Sequence, residues 1–179
     1  MQAEVIERAL ALLGERLSYP SDIEILLVGG AAGMLTGQLA PTRTTIDCDV
    51  MAALPPDALS TVERAAQELS DEMGLAPNWL NSDVQLRRDA LPTTWRSRRV
   101  LVGQWGRLRV LAISRLDLLA MKVLSGRPQD LEDIRAIGPT SDDLRFVREY
   151  LEALPDRGTL ASEVDEAREL LLALESRHG

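Results

Sequence analysis

The chain has 179 residues, of which 45% are hydrophobic and 27% charged, and a formal net charge of −8 at pH 7. This is a globular composition for about one domain with a helical extension, so a disordered tail or a fibre is excluded. The acidic balance confines any nucleic-acid contact to a local patch, and one cysteine with one histidine leaves no disulfide, multi-cysteine zinc site or serine–histidine–aspartate triad. Charge interrupts every apolar run before 18 residues, and Met1 to Glu4 opens no signal-peptide pattern, so a cytoplasmic chain with no membrane partner is expected.

Read in chain order, Glu4 to Leu17 places Val5, Ala9, Leu10, Leu12, Leu13 and Leu17 on a helical stripe, which Ser18, Pro20, Ser21 and Asp22 end. Ile23 to Val28 is nearly all apolar, the pattern of a strand covered on both faces. Gly29-Gly30 follows, then a short helix over Ala31 to Leu39. The β-branched run Thr44 to Val50 predicts a second strand, and Pro55-Pro56 opens a helix to Met73 that Gly74 stops. A third short strand is placed near Trp79 to Val84. Val100-Leu101-Val102 and Leu108 to Ile113, around a Gly103-Gln104-Trp105-Gly106 turn, predict a hairpin.

Four helices complete the chain. Ser114 with Asp117 caps the first, which runs through Val123 to a stop at Gly126. Pro128 to Ile137, Asp142 to Leu154 and Ser162 to Ser176 are the others. The expected fold is therefore α+β: a small mixed sheet with flanking helices over residues 1–113, and a helical lobe over 114–179 packed on it.

Two features carry chemistry. A glycine pair between strand and helix lets phosphate approach backbone N–H groups, although a plain tight turn gives the same pattern. Asp47 and Asp49 alternate along one strand face with Cys48 opposite, an arrangement that suits Mg²⁺, or Mn²⁺, although solvated loop acids read the same way. A dinucleotide fingerprint competes, since Gly30 and Gly33 fit G-x-G-x-x-G, but Val28 stands where its first glycine belongs.

Leu27-Val28-Gly29-Gly30-Ala31 and Arg43-Thr44-Thr45-Ile46-Asp47-Cys48-Asp49-Val50 resemble the hG[G/S]…R-x-T-x-D-h-D-h signature of the nucleotidyltransferase fold. The likeness is nearest to minimal bacterial nucleotidyltransferases, including the abortive-infection (AbiEii-like) type of toxin–antitoxin systems. Leu116 to Lys122 and Arg127 to Ile134 are similar to the family's "dLlamK…R-x-x-D-h-x-D-h" segment, so the resemblance spans about residues 23–137. It implies metal-dependent transfer of a nucleoside monophosphate from a nucleoside triphosphate to an RNA (tRNA-like) or protein acceptor, with a cognate toxin or antitoxin as partner. A catalytically silent, partner-binding module is the alternative.

By the same resemblance Gly29, Gly30, Arg43, Thr45 and Lys122 hold the nucleotide, and Asp47 and Asp49 bind the metal. Asp130 or Asp133 orients Lys122 or the acceptor. The family's third carboxylate falls near Trp79-Leu80-Asn81-Ser82-Asp83, where Asn81 takes the expected place and Asp83 is the nearest acid, assigned as the third metal ligand. Arg87, Arg88, Arg96, Arg98, Arg99, Arg107 and Arg109, against the one acid Asp89, form the expected RNA-docking stretch. Trp79, Trp95 and Trp105 are read as packing residues. Lys122 is the only lysine in the chain.

Overall fold

The computed structural model describes residues 1–154 and 159–176; for 86–88 and 159–161 it describes the backbone alone. His178 and the side chains of Arg87 and Arg88 lie outside the described residues. Residues 1–89 with 96–113 form one compact unit, and residues 90–95 with 114–179 a second.

The first unit is a sheet with helices against it. Helix α1 (Ala3–Arg16) buries Ile6, Ala9, Leu10 and Leu13. Val5 is exposed, because the stripe is centred on Ile6 and its i+4 and i+7 neighbours, about 100° round the helix from Val5. Gly14 lets α1 approach the sheet: a Cβ there would lie 2.8 Å from Cβ of Trp105. The strands are β1 (Ile23–Val28), β2 (Cys48–Leu54), β3 (Leu80–Asn81), β4 (Val100–Trp105) and β5 (Leu108–Ala112), in spatial order β3-β2-β1-β5-β4. Pairing is antiparallel for β1–β2 and β4–β5 and parallel for β1–β5 and β2–β3, so the sheet is mixed as expected.

Between β1 and β2 stands α2 (Gly29–Leu35), which starts at Gly29 rather than Ala31. A 3₁₀ turn (Pro56–Ala58) leads into α3 (Leu59–Met73), and Gly74 closes α3 at φ 65°, the left-handed conformation that favours glycine. Trp79 is fully buried and donates its indole N–H to the Ala66 carbonyl at 2.8 Å. Trp95 is buried and Trp105 half-buried, in keeping with packing roles.

Three sequence expectations are corrected here. The second strand begins at Cys48, not Thr44: Thr45 instead exchanges backbone hydrogen bonds with Met1, and Ile46 is 81% exposed. The strand runs on through Met51 to Leu54, and Ala52 and Ala53 pair with β1 despite weak strand propensity. The third strand is two residues long, and the chain turns at Asp83 into a 3₁₀ segment (Asp83–Ala90). The hairpin turn is Gly106-Arg107, because β4 continues through Gly103 and Gln104 to Trp105 past a register shift between Leu101 and Gly103.

The second unit holds α5 (Arg115–Ser125), α6 (Pro128–Ile137), α7 (Ser141–Ala153) and α8 (Thr159–Glu175). Helix α4 (Trp95–Arg98) is one turn of chain that the sequence did not signal. Ser114 caps α5 by accepting from the Asp117 N–H, and Thr140 with Asp143 closes a reciprocal capping box on α7. Left-handed Gly126 and Gly138 end α5 and α6. Arg115 Nη1 meets Asp143 at 2.7 Å, and the Tyr150 hydroxyl donates to the Ala90 carbonyl at 2.6 Å. Among the described residues, no helix is long and apolar enough to cross a membrane.

Candidate active site

The glycine pair lies where β1 gives way to α2, and the register of β2 decides what faces it. Leu26 pairs with Ala52 but Leu27 with Val50, so Met51 is an extra residue on β2. That bulge sets Asp49 opposite Val28, beside the glycines. Gly29 has φ +69°, and a Cβ on it would lie 2.9 Å from Oδ2 of Asp49. The backbone conformation therefore favours glycine there, and its missing side chain leaves the space that the Asp49 carboxylate approaches.

Gly30 seats an arginine. A Cβ at Gly30 would lie 2.6 Å from Nη1 of Arg43, 3.1 Å from its Cζ and 3.2 Å from its Nη2, so the guanidinium lies against the glycine backbone. Arg43 also donates to the Thr44 carbonyl at 3.1 Å. A planar cation beside a glycine at the start of a helical turn is chemistry suited to phosphate oxygens.

Asp47, the residue before β2, and Asp49 are half-buried while Cys48 and Val50 are buried. Burial pushes the Cys48 thiol pKa well up, and the two flanking carboxylates push it further. Thr45 turns its hydroxyl to the Asp47 carbonyl at 3.2 Å, which fixes the loop into β2. Asn81 pairs with Asp49 in the parallel β2–β3 register and donates Nδ2 to Oδ2 of Asp47 at 3.3 Å.

Asp83 does not join these acids. Its residue is exposed, and its backbone N–H donates to Oδ1 of Asn81 at 3.2 Å. Among the described residues no three His, Cys, Asp or Glu side chains gather closely enough to hold a metal ion. The alternation that would have put residue 83 on the face of residue 81 ends with β3. In the sheet unit the structure thus brings Gly29, Gly30, Arg43, Asp47, Asp49 and Asn81 together as candidate site residues, two carboxylates with one amide.

Lys122, Asp130 and Asp133 come together in the helical unit. Lys122 is 4% exposed, and its ammonium meets Asp130 at 2.9 Å and Asp133 at 2.5 Å. Arg127, a partner the sequence reading did not assign, holds the second oxygen of Asp130 at 2.8 Å. Burial is the largest influence on Asp130 and raises its pKa. Hydrogen bonds from Arg127, Lys122 and Ser125 outweigh it and hold the carboxyl below its ordinary value. The buried Lys122 faces two buried carboxylates, and the exposed Arg127 supplies the second cation from the surface.

Three arginines of the basic stretch are matched by acids. Arg99 meets Glu24 at 2.6 Å, Arg109 reaches the same carboxylate at 3.6 Å, and Arg107 meets Asp22 at 3.6 Å. The local excess of positive charge is thereby reduced.

Residues 4–170 match a family model described as a nucleotidyltransferase of unknown function (DUF6036). The chain belongs to this nucleotidyltransferase family. No curated protein and no solved structure gives a match. Family membership accords with the mixed sheet, and it places the glycine turn and Asp49 in a domain built for nucleotide substrates.

Proposed function

We propose that the chain is a metal-dependent nucleotidyltransferase of the cytoplasm, moving a nucleoside monophosphate from a nucleoside triphosphate onto an RNA or protein acceptor. The observation that carries this reading is the convergence of Asp49 on Gly29 and of Arg43 on Gly30 at the end of β1. In the reaction an acceptor oxygen bonds to the α-phosphorus, and the bond from that phosphorus to the β-bridging oxygen breaks to release pyrophosphate.

The backbone at Gly29 and Gly30, with no side chain in the way, receives phosphate oxygens, and the Arg43 guanidinium neutralises their charge. Asp47 and Asp49 are hard oxygen donors at the start of β2, a donor set that fits Mg²⁺ or Mn²⁺. Bound there, such an ion neutralises developing phosphate charge and polarises the reacting oxygens. The Lys122, Asp130 and Asp133 cluster anchors α5 to α6, and we assign these residues a positioning role.

Incubating the protein with each α-labelled nucleoside triphosphate, Mg²⁺ or Mn²⁺, and first total RNA, then a cell extract, is expected to label a macromolecule. Asp49→Asn and Arg43→Ala, folded normally, are expected to abolish the labelling. Nucleotide binding with no labelled acceptor would favour the silent partner-binding module, the reading that the amide at position 81 supports. The likeness to the abortive-infection type supports membership of a toxin–antitoxin pair, which a small regulator or helical toxin encoded beside this gene would bear out.

A further inference from the structure

Asn81 does more than occupy the place of an acid. Its side chain is fully engaged: Nδ2 donates to Asp47 at 3.3 Å and to the Asn78 carbonyl at 3.5 Å, while Oδ1 accepts the Asp83 backbone N–H at 3.2 Å. Asp83 N–H can only donate, so the oxygen of the amide must face it and the NH₂ must face Asp47. A donor cannot ligate a cation. Turned this way, the amide presents partial positive charge to Asp47 where a third carboxylate would present an oxygen. The parallel register holds Asn81 beside Asp49 as well.

Two consequences follow from elementary coordination chemistry. A hard divalent ion needs about six oxygen ligands, and two carboxylates with water supply less binding energy than three carboxylates do. An ion at Asp47 also has to compete with the Asn81 hydrogen bond already made there. Phosphate oxygens seated at Gly29, Gly30 and Arg43 would supply the missing ligands.

We propose that Asn81 is a positioning residue that makes divalent-cation binding at Asp47 and Asp49 conditional on bound nucleotide. Without a cation the amide holds Asp47, and the ion is retained only alongside a triphosphate. This rests on the nucleotidyl-transfer reading above.

The test is Mn²⁺ binding, followed by electron paramagnetic resonance, to the full chain and to Asn81→Asp and Asn81→Ala, with and without each non-hydrolysable nucleoside triphosphate. Wild type is expected to show no saturable site for Mn²⁺ alone at submillimolar concentration. Asn81→Asp is expected to bind free Mn²⁺ at least on the order of tenfold more tightly. Because Asn81→Asp places a third negative charge beside two others, its melting temperature in chelator is expected to fall and to recover on adding Mn²⁺. That recovery gives a readout even where the variant is weakly folded. Asn81→Ala should bind metal with nucleotide but melt lower than wild type.

Tight binding of free Mn²⁺ by wild type, lost in Asp49→Asn, would overturn the proposal and leave the nucleotidyl-transfer reading intact. No gain in Asn81→Asp would overturn it equally. Absence of nucleotide binding in wild type and both variants would instead remove the parent reading, and this one with it.

Discussion

Replacing Lys122 by Met keeps an unbranched side chain one atom shorter and removes its charge. The residue is 4% exposed, and its ammonium sits 2.9 Å from Asp130 and 2.5 Å from Asp133. Removing one partner of a buried pair generally costs about 3–5 kcal/mol, because the remaining charge stays in the interior. Arg127 still holds Asp130, so a loss near 3 kcal/mol is expected at pH 7 in urea unfolding followed by circular dichroism.

The pH dependence has a definite sign. The pKa of Asp130 is lowered in the folded chain, so its stabilisation is present above its unfolded value of about 3.9 and is lost as pH falls through the folded value. Without Lys122 that folded value moves back up. The deficit of the variant should therefore be largest above about pH 5 and narrow toward pH 3. A loss below about 1 kcal/mol, the worth of an exposed ion pair, or a deficit unchanged by pH, would refute the buried-cluster account. Normal stability with abolished nucleotidyl transfer would instead place Lys122 in the chemistry.

Three further outcomes are expected. Gly30→Ala drives a Cβ toward the Arg43 guanidinium, which as the end of a flexible side chain can move away. Nucleotide affinity should fall about tenfold in equilibrium dialysis, about 1.4 kcal/mol, while stability changes by less than about 0.5 kcal/mol. Trp79→Phe removes the donor to the Ala66 carbonyl inside the core and should lower stability by about 1–2 kcal/mol, read from the urea midpoint. Cys48, buried and with its thiol pKa raised, should resist iodoacetamide at pH 8 in the folded chain and react fully in urea; prompt labelling of the native protein would contradict its placement.

The sequence made most elements legible where local chemistry and tertiary demand agree. The Ile23–Val28 strand, the helix stops at Gly74, Gly126 and Gly138, and the Ser114 cap all follow from apolar runs or from residues whose conformational preferences are strong. Agreement fails at β2. Thr44, Thr45 and Ile46 are good strand formers, yet their backbone is engaged by Met1 or left in a loop. Ala52 and Ala53, weak strand formers, are drawn into the sheet by pairing with Leu26 and Ile25. Propensity is local, and an inner strand is chosen by its neighbours.

The candidate site divides along the same line. Gly29, Gly30, Asp47 and Asp49 could be singled out because phosphate and metal chemistry favours those residue types at that spacing whatever surrounds them. The contact of Arg43 with Gly30 could be suspected only from the motif, since its geometry depends on how the loop before β2 folds back. Asn81 was readable as a missing acid. The direction of its amide was not, because that direction is set by the Asp83 backbone N–H after a two-residue strand whose register no local pattern specifies. Reading Asp83 as the third ligand assumed that strand alternation continued for two more residues. The 3₁₀ turn instead converts Asp83 from an acid offered to a metal into the backbone donor that turns the Asn81 amide toward Asp47. On the proposal above, the two residues that would weaken a free-cation site also hold Asp47 in place through the Asn81 amide.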